Sequence, residues 1–498
     1  MGFETIIGLE VHAQLLTKSK MFCRCGAGYA SAPPNALVCP VCFGMPGVLP
    51  VINKQAVKYT IMTALALNCE ISGYTKFDRK NYPYPDLMKG YQISQYDAPI
   101  GQGGWVTIEV DGEKRKAGIT RVHLEEDVAK LTHRTATGGE SYSLVDVNRA
   151  GMPLMEIVGE PDLRSAEEAR QYLMKLRGML RYLGVSTGNM EEGSFRCDAN
   201  ISIRPEGSRD YLTKVEVKNM NSFKAVYQAL EYEAKRQRKA AAEGKKLTQE
   251  TRGWVEEKGK TVSQRSKEYA HDYRYFPEPD LPPLMLSREW VDEIRARLPE
   301  LPEARRDRFM VECELSLYDA NLLTGSKDMA DYFEEFVKLD RPVGVSLEEW
   351  AKLGSNWLVG EASRIMNANN YDIIEFRKNV SPKKFAVLLS EHLRGIVNST
   401  SGKSVLEEMA LTGKDSTLII QEQGLGQISD NKEIEDAVIG VINANAKPVA
   451  DYRAGKEQAL KFLVGQVMRA TRGRANPQTV TELVKEKLAQ ALSGRERG

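Results

Sequence analysis

The chain lacks the sequence signals of several common enzyme classes. It has no G-x-x-x-x-G-K-[ST] phosphate-binding loop, because Gly395 lies two residues too far from Gly402-Lys403-Ser404 to complete one. It also has no G-x-S-x-G nucleophile elbow and no serine/lysine amidase pattern. We therefore do not expect hydrolysis through an acyl-enzyme intermediate.

Long apolar runs and a strong charge imbalance are also missing. No apolar stretch approaches the roughly 18 residues that suggest a membrane span, and "MGFETIIGLE" has no basic segment before an apolar one, unlike a secretory signal. The formal net charge is only +1 over 498 residues, which gives no global sign of nucleic-acid or membrane binding. These features predict a cytoplasmic protein without a membrane partner, in a compartment where thiols stay reduced.

Cysteine is scarce, yet four of the seven cysteines lie between residues 21 and 44. They occur as Cys23-x-Cys25 and Cys39-x-x-Cys42, separated by thirteen residues rich in turn formers. In a reducing compartment, paired cysteines of this kind typically hold Zn²⁺ in a tetrahedral thiolate site. Four sulfur ligands leave no position for water, so the predicted zinc is structural. The alternative is four unrelated free thiols.

The chain divides into three regions that differ in their sequence patterns. Up to about residue 295, alternating stretches at 105–110, 119–127 and 214–219 predict strands of an antiparallel sheet, and helical patterns cover 166–183 and 225–244. From there on the pattern is helical. We predict an α+β protein with an antiparallel-sheet domain at 1–295, an all-α helical domain at 296–410 and a small all-α tail domain at 411–498.

The tail carries a local surplus of positive charge. Residues 447–498 contain eleven basic and five acidic residues, whereas 401–446 contain three basic and eight acidic ones. Val464, Val467 and Met468 form an apolar helix face. The charges around it face outward, where they can meet nucleic-acid phosphates, although composition alone favours a solvated helix. The basic residues considered are Arg453, Lys456, Lys461, Arg469, Arg472 and Arg474.

Acidic, histidine and basic side chains recur two residues apart on the predicted strands, which places them on one face. These groups are Glu10 and His12; Arg121, His123, Glu125 and Asp127; Arg196 and Asp198; and Lys214, Glu216 and Lys218. Carboxylates beside Arg and Lys can build a Mg²⁺–nucleotide site without a phosphate-binding loop. Each group alone is also typical of a solvated strand face or a structural ion pair.

At these residues the sequence strongly resembles the B subunits of bacterial aspartyl/glutamyl-tRNA(Asn/Gln) amidotransferases. The resemblance extends over essentially the whole chain, in order. The matching stretches include "GLEVHAQL" (8–15), "SLVDVNRAGMPLMEIVGEPD" (143–162), "EEGSFRCDANISIRP" (191–205) and "FLVGQVMRATRGRANP" (462–477).

The resemblance implies a reaction and partners. In this family ATP phosphorylates the side-chain carboxylate of Glu on tRNA(Gln), or of Asp on tRNA(Asn), and ammonia then displaces the phosphate. The ammonia comes from a separate amidase, the A subunit, and a small C subunit joins the two in a heterotrimer. The family's N-terminal domain is a cradle with a core similar to glutamine synthetase, and its tail meets the tRNA. A non-catalytic, zinc-stabilised tRNA-binding scaffold is the alternative, and a Mg²⁺-dependent phosphoesterase is a third.

The resemblance also implies site residues. Glu10, His12, Glu125 and Glu216 match the family's Mg²⁺-binding positions, and two further residues, Lys80 and Asp198, match polar positions of the same pocket. We choose Glu125 over Glu126 because strand alternation places Glu125 on the face of His123. From charge alone we add two candidate phosphate contacts, Arg196 and Lys218. A surface ion pair is the alternative for both.

Overall fold

The computed structural model describes residues 2–208, 210, 212–264, 273–426, 431–453, 455–471 and 474–493. The chain forms two compact units, Met1–Leu301 and Pro302–Gly498. The first contains the sheets and the second is helical, so the predicted α+β class is confirmed. None of the helices in the described ranges is long and apolar enough to cross a membrane.

A nine-stranded sheet dominates the described part of the first unit. Its strand order is β14-β13-β12-β11-β1-β10-β7-β6-β2. The strands of the unit are β1 (Phe3–Gln14), β2 (Glu70–Ile71), β3 (Tyr74–Thr75), β4 (Asp78–Asn81), β5 (Tyr91–Ser94), β6 (Gly101–Val110), β7 (Glu113–Glu126), β8 (Lys130–Thr135), β9 (Ser141–Asp146), β10 (Pro153–Gly159), β11 (Phe195–Pro205), β12 (Val215–Lys218), β13 (Glu250–Val255), β14 (Lys260–Ser263), β15 (Phe276–Pro277) and β16 (Leu284–Met285).

Helices cover one face of this sheet. The helices of the unit are α1 (Pro40–Phe43), α2 (Lys54–Ala66), α3 (Ala166–Tyr182), α4 (Phe223–Ala242) and α5 (Arg288–Ala296). Alternate residues of β1, such as Leu9 and Val11, pack with Leu176 of α3 and Leu230 of α4 in one hydrophobic core. The intervening residues of β1, such as Glu10 and His12, point to the opposite face of the sheet, which is polar. Period-two alternation thus separates the core from a face available for chemistry.

The sheet departs from the antiparallel prediction at one edge. β12 and β13 pair in parallel, with Val215 opposite Glu250 and Lys218 opposite Gly253. The cause is the connection between them, because α4 carries the chain back before β13 begins. A parallel pair requires such a crossover, whereas a tight turn produces an antiparallel pair. The sheet is therefore mixed, and the predicted antiparallel pattern is wrong for this pair.

A small three-stranded sheet, in the order β15-β4-β5, lies beside the end of β7. Gln92 Nε2 of β5 donates to the carbonyl oxygen of Glu126 at 2.8 Å, and Ser94 Oγ donates to Glu125 Oε2 at 3.3 Å. These bonds hold the small sheet against the polar end of β7. The strands β8 and β9 form a separate hairpin.

The second unit is helical throughout its described residues and contains two hydrophobic clusters. One cluster is drawn from residues 309–420 and the other from residues 434–488. Ile419 and Ile420 pack into the first cluster. The predicted domain boundaries at 295/296 and 410/411 stay predictions. The helices are α6 (Pro302–Glu312), α7 (Leu317–Leu323), α8 (Lys327–Val337), α9 (Leu347–Asn356), α10 (Ser363–Asn369), α11 (Ile373–Asn379), α12 (Pro382–Leu393), α13 (Ser399–Thr412), α14 (Ser416–Glu422), α15 (Asn431–Ala444), α16 (Ala446–Arg453), α17 (Glu457–Ala470) and α18 (Pro477–Ser493).

Candidate functional site

Four neighbouring strands bring polar side chains to one level of the sheet face that lies opposite the helices. The register pairs His123 of β7 with Glu156 of β10, Glu156 with His12 of β1, and His12 with Arg196 of β11. Directly paired residues of antiparallel strands point to the same face. Their chain neighbours, such as Val11, point into the hydrophobic core. The result is a row of charged side chains across four strands.

Two carboxylates and two imidazoles form the centre of this row. His12 Nε2 lies 3.5 Å from Glu125 Oε1 and 3.5 Å from Glu156 Oε2, and His123 Nε2 lies 3.2 Å from Glu156 Oε2. His12, Glu125 and Glu156 offer ligand atoms that all lie within 4.8 Å of one another. Carboxylate oxygens suit Mg²⁺, and an imidazole nitrogen suits first-row transition metals. The donor set therefore fits a divalent cation.

Burial makes these acidic groups strong attractors of positive charge. Burial raises the pKa of Glu125, and the charge of Glu156 adds to that effect. Burial alone would lower the pKa of His12, but the hydrogen bond and charge of Glu156 outweigh it and raise that pKa to about 9. A proton on His12 or a bound cation can therefore offset the charge of these carboxylates, but not both at once, because an imidazole that binds a metal is neutral.

A second group of carboxylates continues the same face onto β11 and β12. Lys218 Nζ lies 2.8 Å from Asp198 Oδ2 and 3.0 Å from Glu216 Oε1. Burial would raise the pKa of Glu216, but the charge of Lys218 outweighs it and lowers that pKa. Glu10 lies between the two groups, directly opposite Asp198 in the register. Burial raises the pKa of Glu10, and neighbouring carboxylates add to it.

The four predicted magnesium ligands thus occupy one sheet face but not one cluster. His12 and Glu125 share the close group of ligand atoms with Glu156. Glu10 accepts a hydrogen bond from Asn200 Nδ2 at 3.0 Å, and Glu216 accepts one from a threonine of β13 at 2.7 Å. The predicted set stays a prediction.

Glu125 and Glu126 point to opposite sides of β7. Glu125 faces His12, whereas Glu126 pairs with Lys89 and accepts a hydrogen bond from the backbone N–H of Ile93 at 3.0 Å. This arrangement agrees with the strand alternation used to choose between them. Only Glu125 of the two faces the cluster.

Arg196, a predicted phosphate contact, forms an ion pair within the protein. Its Nη2 lies 3.1 Å from Asp127 Oδ1, and Gln14 Nε2 donates to Asp127 Oδ2 at 2.7 Å. Burial would raise the pKa of Asp127, but the charges of Arg196 and Arg149 outweigh it and lower that pKa. Lys218, the other predicted phosphate contact, is likewise paired with carboxylates. Both cations therefore already have compensating partners.

Aromatic side chains approach the cluster from the small sheet and the segment before it. Lys80 Nζ of β4 lies 4.8 Å from the ring centroid of Tyr273, a cation–π distance. Tyr96 and Tyr275 stack with their ring centroids 4.1 Å apart. The charge of Lys80 lowers the pKa of Glu125 in opposition to its burial. Lys80 therefore lies close enough to act on this carboxylate.

Sequence reasoning missed Glu156 as a candidate site residue. It lies in the apolar strand "PLMEIVG", whose neighbours Met155 and Ile157 are fully buried. The letters of this strand suggest apolar contacts on both faces. The available signal was the charge itself, because an isolated glutamate in a buried strand requires partners. Here His12 and His123 are those partners.

The four clustered cysteines meet in space, as predicted for a zinc site. Their sulfur atoms all lie within 4.8 Å of one another. Cys42 Sγ is 3.6 Å from Cys23, 3.7 Å from Cys39 and 3.8 Å from Cys25. A short helix supplies one pair, since Cys39 is the N-cap of α1 and Cys42 lies within it. Four converging sulfurs match a closed tetrahedral site.

A buried lysine adjoins these sulfurs. Lys20 Nζ lies 3.4 Å from Cys42 Sγ and 3.4 Å from the carbonyl oxygen of Val147. The hydrogen bond from Cys23 and the charge of Lys20 lower the pKa of Cys42 to about 4. Burial raises the pKa of Cys25 to about 11. Cys23 and Lys20 therefore favour the thiolate form of Cys42.

The predicted basic face of the tail is partly described. Lys461 and Arg469 are exposed on α17, whose Val467 is fully buried in the second helical cluster. Arg472 and the side chain of Arg453 lie outside the described residues. Two further basic residues form ion pairs with carboxylates, at 2.9 and 3.5 Å: Lys456 and Arg474.

Comparison with protein families gives two matches that together span most of the chain. Residues 5–292 match the family model described as "GatB/GatE catalytic domain", and residues 331–488 match the model described as "GatB domain". The first match covers the sheet unit and every residue of the polar row. The fold is thus that of a GatB-type subunit.

Individual relatives specify this class further. The chain is 60% identical to the B subunit of the aspartyl/glutamyl-tRNA(Asn/Gln) amidotransferase from Dehalococcoides mccartyi over 488 residues, covering 98% of this chain and 99% of the relative. It is 54% identical to the protein of the same name from Thermomicrobium roseum over 492 residues, covering 99% and 100%. The chain belongs to the family of aspartyl/glutamyl-tRNA(Asn/Gln) amidotransferase B subunits.

Proposed function

We propose that this chain activates the side-chain carboxylate of Glu on tRNA(Gln), or of Asp on tRNA(Asn), by ATP-dependent phosphorylation. Ammonia from an amidase partner then displaces the phosphate to form the amide. The observation that supports this best is the charged row on the sheet face, in which buried carboxylates converge with imidazoles beside Arg and Lys side chains. This arrangement provides the elements that phosphoryl transfer between anions requires.

The proposed magnesium positions are Glu10, His12, Glu125 and Glu216, and Glu156 joins them on geometric grounds. Mg²⁺ bound there would neutralise phosphoryl charge as it develops. The buried state of Glu125 and Glu156 supports this assignment, because two carboxylates within reach of one imidazole attract a cation strongly. His123 holds Glu156 in place through its 3.2 Å contact.

The basic side chains of the face have positioning roles in this proposal. Lys218 orients Asp198 and Glu216, which it contacts at 2.8 and 3.0 Å. Arg196 is fixed by Asp127 at 3.1 Å and can present its remaining donors to phosphate oxygens. Lys80, held over an aromatic ring, places a positive charge beside Glu125.

The cysteine cluster is proposed to hold a structural Zn²⁺. Its ligands would be Cys23, Cys25, Cys39 and Cys42, and the buried ammonium of Lys20 would offset part of the negative charge of four thiolates. Because all four positions would be filled by sulfur, the site has no role in carboxylate activation.

We further propose a cytoplasmic heterotrimer of this chain with an amidase, the A subunit, and with a small C subunit. The exposed cations of α17, Lys461 and Arg469, would contact the tRNA backbone. The printed names of the relatives, which are subunits of tRNA amidotransferases, support these partners. A non-catalytic tRNA-binding scaffold is a second candidate, favoured by the ion pairs that already engage Arg196 and Lys218.

The decisive test is formation of amidated tRNA by the complex that contains this chain. Glu10→Ala or Glu216→Ala should abolish ATP-dependent amidation while glutamine hydrolysis by the amidase stays measurable. Glu109→Ala, which removes an exposed carboxylate of β6, is the matched control and should retain activity. Full amidation by both site variants would support the scaffold and reject the catalytic proposal.

A further inference from the structure

Arg121 shares the polar sheet face with the carboxylate cluster. It precedes His123 and Glu125 on β7 at two-residue intervals, while Val122 and Leu124 between them are fully buried in the hydrophobic core. Successive side chains of a strand alternate between faces. Arg121 therefore points to the same side as the two proposed site residues.

A β-bulge lies directly before Arg121. The pairing of β7 with β10 runs regularly from Glu126 to Arg121 and then shifts, so that Gly159 faces Ile119 and Thr120 is skipped. Ile119 is buried in the core, although a regular strand would place it on the same face as Arg121. Bulges that re-aim a side chain are frequent beside active sites. The bulge therefore returns Ile119 to the core, while Arg121 stays in phase with His123 and Glu125 on the polar face.

Unlike Arg196 on the same face, Arg121 makes no hydrogen bond or ion pair with the described residues. Its Nε is buried and makes no hydrogen bond. By contrast, Arg196 and Arg149 both approach Asp127, at 3.1 and 3.7 Å. A guanidinium has five N–H donors and stays charged at all relevant pH values. A buried donor without a partner carries an energetic cost, which a bound anion removes.

Tyr275 links Arg121 to the cluster. The burial of Tyr275 raises the pKa of its hydroxyl; the charges of Glu125 and Glu156 raise it further, and that of Arg121 opposes them. Tyr275 therefore lies close both to the carboxylates of the cluster and to the guanidinium of Arg121. Its ring stacks on that of Tyr96, with the two ring centroids 4.1 Å apart.

We propose that Arg121 binds an anionic oxygen of the reactants beside the carboxylate cluster, either a phosphoryl oxygen of the nucleotide or a carboxylate oxygen of the aminoacyl group. This inference rests on the proposed function and adds a substrate-binding residue to it. Both anions accept paired hydrogen bonds from a guanidinium. Arg121 thus differs from Arg196, because the guanidinium of Arg196 already forms an ion pair with a protein carboxylate.

The test compares the wild-type complex with the variants Arg121→Met, Arg121→Lys and Lys114→Ala. Lys114 is an exposed cation of the same strand and serves as the matched control. Loss of a charged hydrogen bond is expected to weaken binding by about 10- to 100-fold in Arg121→Met, with partial recovery in Arg121→Lys. Amidation and glutamine hydrolysis by Lys114→Ala should stay at the wild-type rate.

Two measurements distinguish the two anions. Calorimetric titration with Mg-ATP and Mg-ADP tests for a contact with the terminal phosphate. Such a contact predicts that the Arg121 variants bind Mg-ATP more weakly than the wild type and bind Mg-ADP with unchanged affinity. A rise in KM for Glu-tRNA(Gln) with unchanged nucleotide affinity reports a contact with the aminoacyl carboxylate. Either result supports a role of Arg121 in binding.

Wild-type values of nucleotide affinity, KM and kcat in both Arg121 variants would overturn the inference. If Arg121→Met fails to fold, Arg121→Lys decides alone, because it keeps the charge but loses the paired geometry. A wild-type complex that does not phosphorylate tRNA-bound glutamate would instead reject the proposed function, whatever the variants do.

Discussion

Lys20 provides a sharp test of the cysteine cluster. Its side chain is fully buried, and its ammonium lies 3.4 Å from the sulfur of Cys42. A buried lysine is rare unless it is paired with a negative group. Lys20→Met keeps most of the length and apolar surface of the side chain but removes the charge. We expect this substitution to weaken zinc binding.

The contact geometry sets the size of the effect. A charge pair at the observed 3.4 Å has a Coulomb energy of about 5 kcal/mol at an effective dielectric constant of about 20. Desolvating the ammonium opposes this with a penalty of several kcal/mol. Loss of a group that contacts a metal ligand typically lowers metal affinity by about 10- to 100-fold, or roughly 1.4–2.7 kcal/mol. We therefore expect a decrease within that range.

Zinc affinity can be measured by competition with a chromophoric chelator on the full-length chain. Lys18→Met is the matched control, since Lys18 is an exposed cation two residues away. Amidation by Lys20→Met should approach the wild-type rate when zinc is saturating. Equal zinc affinities for Lys20→Met and the wild type would refute the charge argument, and no zinc binding by the wild type would refute the site.

Two further predictions concern the cysteines and the tail. Zinc affinity should rise with pH through the neutral range. Burial raises the pKa of Cys25 to about 11, so a proton must leave this thiol when zinc binds. Calorimetry in buffers of different ionisation enthalpy measures this proton release, and binding heats that do not depend on the buffer would contradict it. Residues 431–498 are the part of the predicted tail that contains the second helical cluster. Deleting them should weaken tRNA binding and reduce its salt dependence, while amidation persists at high tRNA concentration. Filter binding at two salt concentrations checks this, and an unchanged affinity and slope would reject the role of the tail.

Local periodicity predicted the individual elements better than their arrangement. The alternating pattern at 119–127 lies within β7 except for its last residue, and the helical pattern at 166–183 coincides closely with α3. Such patterns follow from one face being buried, which is a local property. The order β11-β1-β10-β7 depends on which strands meet across long separations. The parallel pairing of β12 with β13 likewise required knowledge of where α4 returns the chain.

The site was predictable where its residues alternate regularly and obscure where they do not. Glu10 and His12, two residues apart on β1, were found together and share a face. Glu156 was missed because the residues around it in its strand are apolar. Arg121 was grouped with His123 by spacing, but the bulge that ends this alternation directly before Arg121 depends on pairing with β10. Irregular pairing leaves little trace in a single sequence.

Compensation of buried charge separates structural ion pairs from the proposed site. Fully buried Glu233 contacts Arg236 and Arg252 at 2.8 and 3.0 Å, and Arg252 also contacts Glu250 at 2.8 Å, so both signs are balanced within the chain. On the polar sheet face the balance fails in two places. Glu125 and Glu156 are buried beside His12, whose imidazole must be neutral to bind a metal, and Arg121 makes no hydrogen bond or ion pair in the described part of the chain. The first imbalance favours a bound cation and the second a bound anion, which are the two charges that the proposed metal–nucleotide complex carries.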